Sequence, residues 1–104
     1  SLQLISAVYS PDGQYIVAAS QTAGDLFRFR PDGSNLVNLT FTGDRIRPFA
    51  NPRFTDDGVW VICTHRLLEP NTIEIYQVLA GGGATRRLTA LDDALPFAFA
   101  APNR

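Results

Sequence analysis

Lysine and methionine are absent from this chain of 104 residues, and cysteine, histidine and tryptophan occur once each. With Cys63 as the lone cysteine there is no internal disulfide and no cluster of thiolate metal ligands. His65, the lone histidine, has no carboxylate or cysteine placed by spacing to act with it as a base or a metal ligand. No apolar run approaches the roughly 20 residues that a membrane-spanning helix needs, so no membrane insertion is expected. Nine arginines face ten acidic residues for a net charge of −1, which leaves no electrostatic footprint for nucleic acid or anionic lipid. Nor is there a glycine-rich phosphate cradle, because Gly81-Gly82-Gly83 leads into a strand pattern and not a helix. The missing methionine is expected of a chain that has been processed or is a piece of something longer; the piece is the expectation here.

What is present is a repeat. Hydrophobic residues make up 45% and charged residues 18%, the balance of a globular chain. The segment AVYSPDGQYIVAAS from Ala7 matches PRFTDDGVWVICTH from Pro52 at an offset of 45 residues. Further on, LFRFRPDGSNLVNLT from Leu26 matches IYQVLAGGGATRRLT from Ile75 at an offset of 49. The longer loop from Arg66 to Thr72 in the second copy absorbs the difference, and loops are where insertions are tolerated. A period of about 45 residues is the length of one propeller blade.

Each copy divides into four short runs rich in Val, Ile, Phe, Tyr and Thr, separated by Gly, Pro, Asp and Asn. The spacing predicts strands near 6–9, 14–20, 25–30 and 35–40, then near 52–55, 59–65, 73–79 and 84–89. Ser10-Pro11-Asp12-Gly13 is a turn with proline pre-setting φ and glycine accepting the left-handed exit. Pro31-Asp32-Gly33 and Gly81-Gly82-Gly83 close hairpins that want positive φ. No amphipathic helical stretch competes. The expected fold is therefore all-β: two four-stranded antiparallel propeller blades, a partial propeller or a ring-forming fragment. Residues 1–49 form the first blade with its linker, 50–95 the second, and 96–104 the start of a third blade's first strand. Leu2 to Ile5 reads as a lead-in or as the remnant of a preceding fourth strand.

The residues Tyr9-Ser10-Pro11-Asp12-Gly13 and Asn38-Leu39-Thr40, with Pro52-Arg53-Phe54-Thr55-Asp56-Asp57-Gly58, Ile75-Tyr76 and Arg87-Leu88-Thr89, carry a resemblance. Their pattern is similar to the repeat of TolB-like β-propellers, a neighbour of the WD-repeat family whose Trp-Asp dipeptide is missing here. Ala7 stands where the opening proline belongs and Asp56 where the turn proline belongs. The resemblance implies a non-enzymatic binding or scaffold module, a bacterial origin and an extracytoplasmic setting, periplasmic or secreted. Similar repeats also form the non-catalytic propeller of prolyl-oligopeptidase-like serine peptidases, but no Gly-x-Ser-x-Gly elbow is present. A small-ligand or carbohydrate-binding propeller is the remaining alternative.

A blade buries both faces against its neighbours, and Tyr15 to Ala19 and Trp60 to Cys63 are apolar almost without interruption. Two blades share one interface and leave two faces open. The expected partners are therefore a protein or further copies of the chain, paired through those faces, with no cofactor.

No residue qualifies as catalytic and none as a metal site; Asp92-Asp93 is one pair, short of the roughly 6–8 oxygen ligands of calcium. The candidate contact residues are Arg45 and Arg47, flanking Ile46 in the loop between the blades, with His65, Arg66, Asp92 and Asp93. For His65 a structural role is the stronger expectation, and Cys63, aligned with Ala18, reads as a buried small residue. Asp44 and Asp93 recur four residues after the repeated threonine, as loop acceptors. Arg28 and Arg30 alternate with Phe27 and Phe29, which reads as an outer strand with its polar face in water. Asn38-Leu39-Thr40 fits a glycosylation acceptor, but it lies in the fourth strand at the Arg-Leu-Thr position, where chance is the stronger expectation.

Overall fold

In both copies the first turn closes through the same three contacts. Asp12 Oδ1 accepts from the Ser10 hydroxyl at 2.6 Å and from the Gln14 amide at 2.9 Å, and Gly13 (φ 74°) donates back to the Ser10 carbonyl. Asp57 Oδ1 takes the same bonds from Thr55 and Val59, and Gly58 (φ 73°) donates to Thr55. A short polar side chain bonding its own backbone two residues on is sufficient for this turn. That is why Asp56 replaces proline without changing the geometry. The computed structural model describes residues 3–68 and 71–89, the side chains of 67, 68 and 71 excepted.

Between these turns run eight strands: β1 (Leu4–Tyr9), β2 (Ile16–Ser20), β3 (Asp25–Phe29), β4 (Val37–Asn38), β5 (Phe49–Phe54), β6 (Trp60–Leu68), β7 (Asn71–Leu79) and β8 (Thr85–Arg87). They form two antiparallel meanders, β1-β2-β3-β4 and β5-β6-β7-β8, which are the two blades. Among the described residues there is no helix. Leu4 and Ile5 pair with Ser20 and Ala19, so they belong to β1 and are not a lead-in. Residues 96–104, read as the start of a third blade, lie outside the described residues.

The inner strands repeat an irregularity that no turn motif announces. Between Ile5 and Val8, β1 advances by one residue more than β2, with Ser6 at φ 55°. Between Ala50 and Arg53, β5 does the same against β6, with Asn51 at φ 54°. Both positions are 45 residues apart. An extra residue of this kind bends the strand and sharpens its twist, giving both blades the same curvature.

Strand alternation then sorts each blade into two faces. Val17, Ala19 and Leu26 of the first blade pack on Phe49, Phe54, Val61, Cys63 and Val78 of the second in one continuous core. Fully burying a Val, Leu or Phe side chain is worth about 1.5–3 kcal/mol; this interface holds the two sheets together. Phe49 N–H also donates to the Gly24 carbonyl at 3.1 Å across it. A Cβ on Gly24 would lie 2.3 Å from the Asp44 carbonyl oxygen, so only glycine lets the linker press this close.

Arg28 lies on this inner face, opposite Val17 in the register, and is not on a water-facing side. Its Nη1 reaches the Ala80 carbonyl of the other blade at 2.8 Å, and its guanidinium stacks over the Tyr15 ring at 4.8 Å. Alternation told which residues share a face with Arg28; it could not tell that another blade covers that face.

Candidate binding surface

The two ends of the blades differ in kind. At one rim lie the two tight turns at Gly13 and Gly58 and the hairpin turns around Gly33 and Gly82. At the other lie the Gly24 turn, the linker from Phe41 to Pro48, and the ends of β6 and β7.

The linker is built on Asp44. Its Oδ1 accepts from the Ile46 and Arg47 amides at 3.1 and 3.2 Å, and its Oδ2 meets Arg47 Nε at 2.8 Å. Burial pushes the Asp44 carboxyl up, but these bonds and the Arg47 charge prevail and hold it below the usual range. Arg47 is thereby committed within the loop. Arg45 is exposed beside Ile46, which is 65% exposed. Fixed at its base, the loop holds an isoleucine in water between two arginines.

His65 and Arg66 come up against the same loop. Arg66 N–H donates to the Pro48 carbonyl at 3.2 Å. The His65 ring stacks on Phe49 with centroids 3.9 Å apart and meets Tyr76 edge-on at 4.8 Å. Burial lowers the His65 pKa below its ordinary value, while the Pro48 carbonyl and the Asp44 charge oppose that only in part. The ring is neutral at pH 7 and serves as an aromatic wall at the mouth of the interblade core. Arg45, Arg47, His65 and Arg66 thus meet on one rim. Asp92 and Asp93 lie outside the described residues.

Burial pushes the Cys63 thiol up to about 12, so no thiolate forms at neutral pH. Among the described residues no group of three or more His, Cys, Asp or Glu is placed to hold a metal ion.

One pair of repeated acidic residues was not apparent from sequence. Asp25, 1% exposed, opens β3 and accepts five hydrogen bonds: from the Thr40 and Thr42 hydroxyls, the Thr42 and Gly43 amides and the Asn38 amide group. Burial raises its pKa, but the bonds from Thr40, Thr42 and Gly43 outweigh that and leave it lowered. Glu74 occupies the equivalent place in the second blade and accepts from Thr89 and Thr72. The signal available was the offset of 49 residues from Asp25 to Glu74, obscured by the exchange of Asp for Glu. Asn38 and Thr40 of the apparent glycosylation triplet are engaged here.

A groove of about 630 Å³ runs between β1 and β5, from Ser6 to Tyr9 on one side and Asn51 to Phe54 on the other. A smaller cleft of about 300 Å³ opens at the turn rim between Tyr15, Arg28 and Ala80.

The chain is similar in fold to a solved structure assigned as TolB from Agrobacterium tumefaciens, with a TM-score of 0.66 and 22% identity. The match covers 82% of this chain and 32% of that one, so the chain spans about a third of its structural neighbour. No protein-family model matches the sequence, and no curated protein matches it. Two antiparallel four-stranded sheets, with no helix among the described residues and a fold similar to that TolB structure, are blades of a partial propeller.

Proposed function

We propose that this chain is a non-enzymatic binding module that presents its linker rim to a protein partner. The observation that carries the reading is Ile46, 65% exposed at the tip of a loop whose base is pinned by Asp44 and clasped onto Gly24. A rigid loop loses little entropy on binding, and arginine next to an apolar anchor is the composition that recurs at the centres of protein interfaces. The partner surface that suits it is an apolar pocket with acidic residues at its edge. His65 and Arg66 extend the same rim. The TolB-type neighbour is in keeping with a scaffold role and with an extracytoplasmic setting.

The test is retention of partners on immobilised chain, compared with an Arg45→Glu, Ile46→Asp variant. The account expects at least one protein held by the unaltered chain and released by the variant. Equal retention by both would refute the rim as the contact.

A further inference from the structure

His65 does more at the seam between linker and second blade than fill space. Among the described residues its Nδ1 is buried and has no hydrogen-bond partner. The ring is gripped by Phe49, stacked at 3.9 Å with 12° between the planes, and by Tyr76, edge-on at 4.8 Å. A neutral imidazole tolerates this, because the bare nitrogen is only a lone pair. Once protonated, the same nitrogen is the N–H of a cation, buried with nothing to bond. The nearby Pro48 carbonyl already accepts the Arg66 amide at 3.2 Å.

The charged groups around the ring come from every side. The linker supplies Asp44 and Arg47, β3 supplies Asp25, and β7 supplies Glu74, opposite His65 in the register; Arg66 follows on β6 itself. Each carboxylate is engaged elsewhere: Asp44 by Arg47, Asp25 by Thr40, Thr42 and Gly43, Glu74 by Thr72 and Thr89. Burial disfavours a charged ring most, the Asp44 and Asp25 charges favour it, and Arg47 opposes it. The balance in the folded chain is toward the neutral form. The face of Phe49 attracts a cation modestly, but offers its N–H no acceptor.

From this buried, unpartnered nitrogen we infer that His65 is an acid-operated latch on the linker from Phe41 to Pro48. On gaining a proton at Nδ1 the ring leaves Phe49 for water, and the Pro48–Phe49 end of the linker loses its seat on β6. The direction follows from linkage. The closed state holds a histidine whose pKa lies below the ordinary 6.5, so it is fully favoured above that pH. Its advantage is lost as pH falls from there through the lower folded value, because the open state takes up a proton that the closed state refuses. The consequence for binding rests on the rim reading: a partner held by Ile46 on a fixed loop is released in mild acid.

Two measurements on the full chain keep the latch and the rim apart. In the first, nuclear magnetic resonance follows the ring titration, which belongs to His65 alone because the chain has one histidine. It also follows exchange protection of the Phe49 and Arg66 amides, with the Ala80 amide, bonded to Val59 at the opposite rim, as reference. The ring should titrate below 6.5, the ordinary value. Protection at Phe49 and Arg66 should be lost along the same curve between pH 7 and pH 5, while Ala80 keeps its own. His65→Phe retains a stacking ring that cannot gain a proton, with His65→Gln in its place should it not fold; either should hold both amides protected at pH 5. Protection unchanged at pH 5 in the unaltered chain, or an equal loss in the variant, would overturn the latch. The second measurement is partner retention at both pH values. The unaltered chain should release at pH 5 what it holds at pH 7, and His65→Phe, whatever its level at pH 7, should show no such fall. If nothing is held even at pH 7 the rim reading fails, and the amide measurement still decides the latch.

Discussion

The Thr40 hydroxyl donates to the Asp25 carboxylate at 2.6 Å and accepts the Leu26 amide at 3.2 Å. One side chain thus ties the start of β3 to the end of the blade. Thr89 repeats both contacts, with Glu74 and with the Ile75 amide. The repeated Leu-Thr is explained: leucine enters the core, 3% exposed in each copy, and threonine locks the outer strand that only two or three residues hold by pairing.

Asp25→Asn should destabilise the chain by about 2–3 kcal/mol, because an amide nitrogen then faces donors that the carboxylate satisfied. The pH dependence follows the same bond set. Asp25 has a lowered pKa in the folded chain, so its contribution is fully present above the ordinary carboxylate pKa. It is lost as pH falls through the lower folded value. Urea unfolding of both proteins at pH 7 and in acid checks this: the stability gap should be wide at pH 7 and narrow in acid. A constant gap would refute it.

Gly24 and Gly13 share a left-handed conformation, φ 77° and 74°, but only Gly24 faces a neighbour, the Asp44 carbonyl. Gly13→Ala should cost about 1 kcal/mol for the conformation alone. Gly24→Ala must also push the linker away, and should cost at least about 2 kcal/mol. Equal losses on thermal unfolding would mean that the linker does not seat on Gly24.

Cys63 should be inert while the chain is folded. With its thiol at about 12 and its side chain buried, a disulfide reagent at pH 8 should label it at least about 100-fold more slowly than in urea, through opening alone. Labelling at the denatured rate would place Cys63 at the surface.

Arg28 and Tyr15 should be coupled. A double-mutant cycle with Arg28→Met and Tyr15→Leu should return about 0.5–1 kcal/mol for the cation over the ring. No coupling would mean that Arg28 acts only through the Ala80 carbonyl.

The legible and illegible parts of this chain divide along physical lines. Turns follow local rules, so Asp12-Gly13, Asp57-Gly58 and Asp32-Gly33 located the hairpins, and the repeat located the blades. The bulges at Ser6 and Asn51 are invisible in the sequence, because neither a serine nor an asparagine within a strand marks a bulge by its type. The burial of Arg28 against the other blade is not legible, because alternation defines a face without saying what lies on it. Asp25 and Glu74 carry no local signal in the sequence, since the partners of Asp25 arrive from as far as 18 residues away. On the rim, Arg45 and Arg47 were legible as a pair, yet the Asp44 bond that commits Arg47 and leaves Arg45 free to reach outward depends on the folded loop.

One blade laid face-on against the other is the central contact of this chain, and the Phe49 amide, bonded to the Gly24 carbonyl, reports on it directly. Nuclear magnetic resonance can detect scalar coupling through a hydrogen bond, here from the Phe49 nitrogen to the Gly24 carbonyl carbon. The account predicts a measurable coupling and an amide slow to exchange; a Phe49 amide that exchanges freely, with no coupling to Gly24, would contradict it.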